Sequence, residues 1–334
     1  DGATVPFIAR YRKEATGGLD DTQLRQLAER LQYLRELEER KAVVLKSIEE
    51  QGKLSDDLRA QIEAADNKTA LEDLYLPYKP KRRTKAQIAR EFGVEPLADQ
   101  LWADPTLDPA QAAQPFVKAE KGEGGEDFTT VAAVLDGVRD ILSERWAEDA
   151  ALVQSLREWL WQEGQLQSKL AAGKNENDPE VAKFRDYFDY DEPIGRVPSH
   201  RALAVFRGRQ LEILDAKLIT PLAADEKTSL AEGRIAQHLG WSHQGRPADD
   251  LLRKCVSWTW RVKLSLSTER DLFARLREEA EKVAIKVFAD NLRDLLLAAP
   301  AGAKAVMGLD PGIRTGVKVA VVDATGKLLE TATI

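Results

Sequence analysis

Five cationic side chains fall within seven residues, at Lys79, Lys81, Arg82, Arg83 and Lys85, beside Tyr75 and Tyr78. Lysine and arginine neutralise phosphates and release condensed counterions, and a tyrosine ring can stack on a base. The run is therefore a candidate contact for a nucleic-acid backbone. The competing reading is a solvated loop whose tyrosines pack on the preceding helix. A second group is Ser199, Arg201, Arg207 and Arg209. Ser199 at a helix start offers a hydroxyl and unpaired backbone donors that suit an anion, and Arg201 and Arg207 add charge-assisted bonds. Read structurally, Ser199 caps the helix and the arginines pair with Asp186, Asp189, Asp191 or Glu192. Arg10, Arg12 and Lys13 either reach a phosphate or pair with acids of the following helix. Trp258 and Trp260 sit among Arg253, Lys254, Arg261 and Lys263 as a possible stacking platform. Residues two apart face different sides of a helix, so at least one of the two indoles is expected in the core.

Metal chemistry finds little support. His238 and His243 stand five apart without further ligands nearby, and a core or surface role is expected for both. Cys255 is the sole cysteine, which excludes a disulfide framework and a cysteine-based zinc site and fits a reducing cytoplasm. No apolar run reaches the ~18–20 residues that a membrane span needs. No cofactor is implied.

The elements that position these groups are mostly helical. Asp20-Asp21-Thr22 caps a long helix in which Leu24, Leu27, Leu31, Leu34, Leu37, Val44 and Ile48 mark one face. Gln51-Gly52 ends it, and Ser55 caps a return helix. A helix from 68 stops at Pro77. Residues 77–83 are expected extended, because prolines restrict their neighbours and remove helix donors. Thr84 opens a helix that ends at Gly93. Gly122 to Asp127 reads as a flexible acidic loop, followed by a helical pair reaching about Leu170. Residues 180–190 read as helix, with another from Pro198-Ser199 to Gly208 and a strand within 211–219. Helices follow at about 225–239 and 247–262. Ser267-Thr268 is expected to cap a helix running to about Ala298, with Phe273, Leu276, Val283, Val287 and Leu295 as its buried stripe. A helix of that length suits a spine between domains. Then the pattern changes to apolar runs around a turn at Asp310-Pro311-Gly312, the start of a sheet.

The net charge is −7, which counts against a dedicated nucleic-acid module unless charge is segregated. It is. Residues 68–90 carry seven basic and two acidic side chains, and residues 196–209 carry four arginines and no acid, while residues 120–149 hold nine acids against three bases. Local fields, not the total, steer a polyanion. The chain opens on Asp1, has its only methionine at Met307, and closes on a strand-like run, so it is expected to be cut at both ends.

Four segments carry a family likeness: TVPFIARYRKEATGGLDDTQLR at 4–25, LYLPYKPKRRTKA at 74–86, FRDYFDYDEPIGRVPSHRALAVFRGR at 184–209 and GLDPGIRTGVKVAVVD at 308–323. In this order they resemble the Tex family of bacterial transcription accessory proteins. The resemblance implies a helical N-terminal region with a helix-turn-helix part, an RNase-H-like (YqgF-type) domain, helix-hairpin-helix elements and a C-terminal OB-fold that binds RNA. It implies a mainly α chain divided as 1–180 (helical N-terminal region), 181–266 (helix-turn-helix-like region), 267–303 (long connecting helix) and 304–334 (the first strands of the RNase-H-like domain). In such a sheet Asp310 could hold a divalent metal or, as in the related actin-like fold, contact phosphate. Metal chemistry needs several carboxylates, so no catalytic residue is assigned and an enzyme is not expected. The plain alternative has Asp310 bonding turn amides. The expected function is a cytoplasmic nucleic-acid-binding scaffold, with RNA as the expected ligand and DNA left open as another. The alternatives are a metal-dependent nuclease in the full-length protein and an interaction module for RNA polymerase or ribosome.

Overall fold

A computed structural model describes residues 2–79, 83–122, 124–222, 229–299, 302–312 and 316–334. The chain divides into two compact units, Asp1–Glu278 and Glu279–Ile334.

The first unit begins with helices α1 (Val5–Tyr11) and α2 (Asp21–Glu50). A capping box starts α2: the Asp20 carboxylate accepts from the Gln23 amide at 2.8 Å, and the Gln23 side chain accepts from the Asp20 amide at 3.0 Å. Ser55 and Asn67 cap α3 (Asp56–Ala64) and α4 (Lys68–Tyr75), which fold back onto the C-terminal half of α2. Leu37, Val44, Ile48, Ile62, Leu71 and Tyr75 close that core. The stripe expected along α2 is divided. Leu24 and Leu37 are buried, whereas Leu27, Leu31 and Leu34 between them are exposed.

Short helices α5 (Lys85–Glu91), α6 (Glu95–Ala103) and α7 (Pro109–Ala113) surround α8 (Val131–Ala147), the most buried helix, and α9 (Ala150–Glu163) follows it. The helical pair expected to reach Leu170 stops at Gly164. The next residues form strand β1 (Gln165–Leu170). The helix expected over 180–190 is likewise broken, into α10 (Pro179–Ala182), a 3-10 turn at Arg185–Tyr187 and strand β2 (Asp189–Pro193). Leu166 and Leu170, four apart, and Tyr187 and Tyr190, three apart, mimic helical spacing. A run this short is decided by its pairing partner, not by its period. β1 lies between β2 and β3 (Leu214–Ile219), antiparallel to both, in the order β2-β1-β3. Helix α11 (Ser199–Gln210) packs on this sheet with Ala202, Val205, Phe206 and Gly208 inward.

Helices α12 (Leu230–His238) and α13 (Asp249–Trp258) follow. The cap expected at Ser267-Thr268 is absent. α13 continues through a π-helical turn, Thr259–Leu264, directly into α14 (Ser265–Leu296). The Ser267 hydroxyl donates back to the Leu264 carbonyl at 3.0 Å, as an interior helical serine does. Phe273 and Leu276 are buried as expected, but Val283, Val287 and Leu295 are 48%, 52% and 72% exposed.

In the second unit β4 (Val306–Gly312), β5 (Gly316–Val322) and β6 (Leu328–Thr333) form an antiparallel sheet in chain order. The turn expected at Asp310-Pro311-Gly312 is strand instead, in register with Val317 and Lys318 through to Gly316. Among the described residues no helix is long and apolar enough to cross a membrane.

Candidate nucleic-acid interface

The run after α4 starts as a 3-10 turn, Leu76–Tyr78, not as fully extended chain. Tyr75 is buried. Its hydroxyl pairs with the Ser47 hydroxyl at 3.0 Å and its ring lies under Arg40, so it offers no face to a base. Tyr78 packs against the α2–α3–α4 core. Lys79 is exposed, and its amide donates to the Tyr75 carbonyl at 3.0 Å. Lys81 and Arg82 lie outside the described residues. Arg83 is held by two carboxylates, Glu91 at 2.6 Å and Glu126 at 2.5 Å, and these bonds raise its pKa. The same bond fastens the acidic loop, where Lys121 also meets Asp127 at 2.9 Å. Arg83 thereby links Glu126 of the acidic loop to Glu91 at the end of α5. Lys85, in the first turn of α5, is exposed.

The second group is split by the geometry of α11. At 100° per residue, His200 and Arg207 share the outward face, whereas Arg201 and Arg209 lie on the opposite flank. Pro198, not Ser199, occupies the N-cap, and no side chain caps this helix. Arg201 meets Glu192 at 3.7 Å and lies over Tyr190. The Tyr190 hydroxyl donates to Glu192, and burial together with that bond pushes its pKa up to about 12. Arg209 lies 5.3 Å over the ring of Phe273. Arg207 is exposed and, among the described residues, has no carboxylate partner.

The remaining candidates resolve mostly as structure. Arg12 pairs with Glu14 in the adjoining turn at 2.6 Å. Trp260 is buried, and Trp258 lies under Arg139 at 3.9 Å. His238 and His243 meet different carboxylates, Asp149 at 2.9 Å and Asp250 at 3.3 Å. Asp310 is exposed on β4, 3.8 Å from Lys318 across the strand pair. Turn amides are bonded instead by Asp323, from Thr325 and Lys327. Among the described residues no three potential ligands cluster for a metal.

A reading by local charge density overlooked Arg277, whose guanidinium lies 5.0 Å over Phe206. Glu278, Glu279 and Glu281 beside it in sequence mask it. Its spacing of seven from Arg270 was the available signal.

These motifs and elements coincide with one family. Residues 104–288, more than half of the chain, match the model of the Tex central region. The chain belongs to the Tex family. Residues 1–49 match the Tex-like protein N-terminal domain and residues 304–334 the Tex protein YqgF-like domain. Three of the four motif segments fall inside these Tex ranges, and the segment at 74–86 falls between the first two. Protein YhgF of Escherichia coli (strain K12) is 59% identical over all of this chain and 42% of its own length. Transcriptional accessory protein Tex of Neisseria gonorrhoeae is 58% identical over the same shares. S1 RNA-binding domain-containing protein 1 of Homo sapiens is 30% identical over 99% of this chain and 33% of its own length. The chain thus spans well under half of these relatives. It is a mainly helical Tex chain that reaches into the YqgF-like domain.

Proposed function

We propose that this chain is the helical frame of a nucleic-acid-binding transcription accessory protein, with RNA as the first ligand to test and DNA as the alternative. One observation carries the reading. On a chain of net charge −7, Lys79, Lys85, Arg207 and Arg209 stand exposed with no carboxylate partner among the described residues. Uncompensated cations on an acidic body are what a phosphate backbone selects. Family membership supports it, since one relative is named for accessory work in transcription and another for an S1 RNA-binding domain. The division into 1–180, 181–266, 267–303 and 304–334 belongs to this proposal, as does cytoplasmic action. Ser199 and Arg201 have a supporting place in it, and Arg83 acts mainly by fixing the acidic loop.

The test is binding of labelled RNA and duplex DNA, titrated with salt. Lys79→Glu with Lys85→Glu and Arg207→Glu should weaken binding and flatten its salt dependence by roughly 0.7–0.9 of a slope unit per lost contact. Unchanged affinity in that variant sinks this assignment of residues. A second reading, docking on polymerase or ribosome, is favoured by the exposed Leu27, Leu31 and Leu34 on α2. The nuclease reading concerns the full-length protein; here Asp310 lies 3.8 Å from Lys318, and among the described residues no three potential metal ligands cluster.

A further inference from the structure

The two cationic groups read from the sequence are separate in the chain, yet a third set of cations joins them in space. Lys263, Arg270 and Arg277 recur every seven residues, from the end of the π-helical turn along α14. Seven residues fall about 20° short of two turns and advance about 10.5 Å, so side chains at this spacing remain on one side of a helix. At one end, Lys79 lines the same cleft as Lys263 and Arg270, a hollow of about 350 Å³. At the other end, Arg277 covers Phe206, Phe206 meets Phe273 edge-on at 5.6 Å, and Phe273 carries Arg209. We propose that Lys79, Lys263, Arg270, Arg277 and Arg209 form one track for the phosphodiester backbone of a nucleic acid. The proposal rests on the nucleic-acid reading above and assigns it a site.

The charges on this track are largely uncompensated. Among the described residues Lys79, Lys263, Arg277 and Arg209 have no carboxylate partner, and Arg270 is 80% exposed with only a 3.9 Å approach to Asp271. The carboxylates lining the cleft are engaged elsewhere. Glu72 binds Arg40 at 2.6 Å, Asp73 and Asp271 bind Arg157 at 3.0 and 3.1 Å, and Glu144 binds Arg90 at 2.9 Å. Glu148 is also partnered. The cleft therefore presents Lys79, Lys263 and Arg270, while Asp73 and Glu144 are largely buried against arginines and Glu72 and Asp271 are paired but partly exposed.

The floor of the track fixes the kind of contact. Phe206 and Phe273 are 4% and 5% exposed, so neither presents a face on which a base could stack. Binding is to phosphate and indifferent to base sequence. From Lys263 to Arg277 the helix rises about 21 Å, enough for about six phosphates at the 3.4 Å per-strand step of a duplex.

The experiment uses residues 1–334 with a fluorescein-labelled single-stranded oligouridylate and, in parallel, a labelled duplex DNA. The variant is Lys263→Gln, Arg270→Gln, Arg277→Gln, and the control removes three exposed cations elsewhere, at Lys46, Lys174 and Arg185. For the single strand, three lost contacts lower the salt slope by about 2.1, so the affinity lost between 50 and 200 mM salt becomes about 18-fold smaller than in the native chain. The control keeps the native slope. Because Lys263 is half-buried, Arg270→Gln with Arg277→Gln is measured as well, with an expected reduction of about 7-fold for the two contacts. If the backbone alone is recognised, the duplex arm loses about 2.7 of slope for the three contacts, an affinity loss about 42-fold smaller between 50 and 200 mM salt. Binding with native salt dependence in both variants overturns the track and leaves the broader reading standing. A native chain that binds neither probe overturns both.

Discussion

Arg157 is a buried charge, 9% exposed, that ties three helices of the first unit together. From α9 it reaches Asp73 on α4 at 3.0 Å and Asp271 on α14 at 3.1 Å, while its Nε is buried without a hydrogen-bond partner among the described residues. Burial opposes its charge, and the bonds to Asp73 and Asp271 overcome that and raise its pKa. Arg157→Met should cost about 3–5 kcal/mol, because it strands Asp73 in a poorly hydrated site. Urea denaturation measures this, and adding Asp73→Asn should recover part of the loss. Asp149 gives a pH prediction. Burial opposes its ionisation, but the bond from His238 and the Leu152 amide bring its pKa below 3.8. A carboxyl depressed in the folded state stabilises it above the unfolded value and loses that contribution as pH falls through the folded one. Melting temperature between about pH 4 and 2 should therefore fall less steeply in Asp149→Asn, which keeps the cap and loses the charge. Cys255 supplies a third check. Burial pushes its thiol up to about 12, so a thiol reagent at pH 8 should label it only after unfolding.

Among the elements, α11 sits close against its neighbours. A Cβ at Gly208 would stand 2.5 Å from Leu214 Cδ1 and 3.1 Å from the Phe184 ring. Gly208→Ala gains about 1 kcal/mol of helix propensity, but the overpacking costs about 1–3 kcal/mol and the displaced helix loses its fit to β3. The expected outcome is a net loss of stability by denaturant titration, and a more stable variant would show that the sheet yields easily. Helix starts were legible in the sequence, since Asp20, Ser55 and Thr84 each carry the oxygen that satisfies an orphan amide. The strands β1 and β2 were not. Six and five residues offer too few repeats to separate a period of 2 from 3.6. The false cap at Ser267 has a related origin, because a serine oxygen can bond backwards to the preceding turn as well as forwards to an amide.

Across the whole molecule, the two units differ in how much chain they bury. α8 is enclosed by Val134, Val138, Ile141, Leu142 and Trp146, each under 5% exposed, whereas β4 and β6 expose nearly every residue. Backbone amides of α8 should exchange with solvent only on global unfolding, and those of β4 to β6 orders of magnitude sooner. Hydrogen-exchange mass spectrometry on residues 1–334 tests this, and equal protection would show that both units open together. Charge follows the same division between local and collective order. Several carboxylates are bonded to arginines drawn from distant segments, as Glu126, Glu144, Asp73 and Asp271 are. The cations left over face outward.

By itself the sequence determined the family, the helical class, the caps at Asp20, Ser55 and Thr84 and the existence of basic islands, because each is encoded in contiguous residues whose chemistry acts within a turn or two. Only the tertiary structure decided which cations remain available. Arg83 reads as a phosphate ligand until Glu126, 43 residues away, closes on it. Arg277 reads as part of an acidic helix until Phe206 places it beside Arg209. Charge pairing acts through space over a few ångströms, and nothing in the local order of residues says which carboxylate the fold will bring that close.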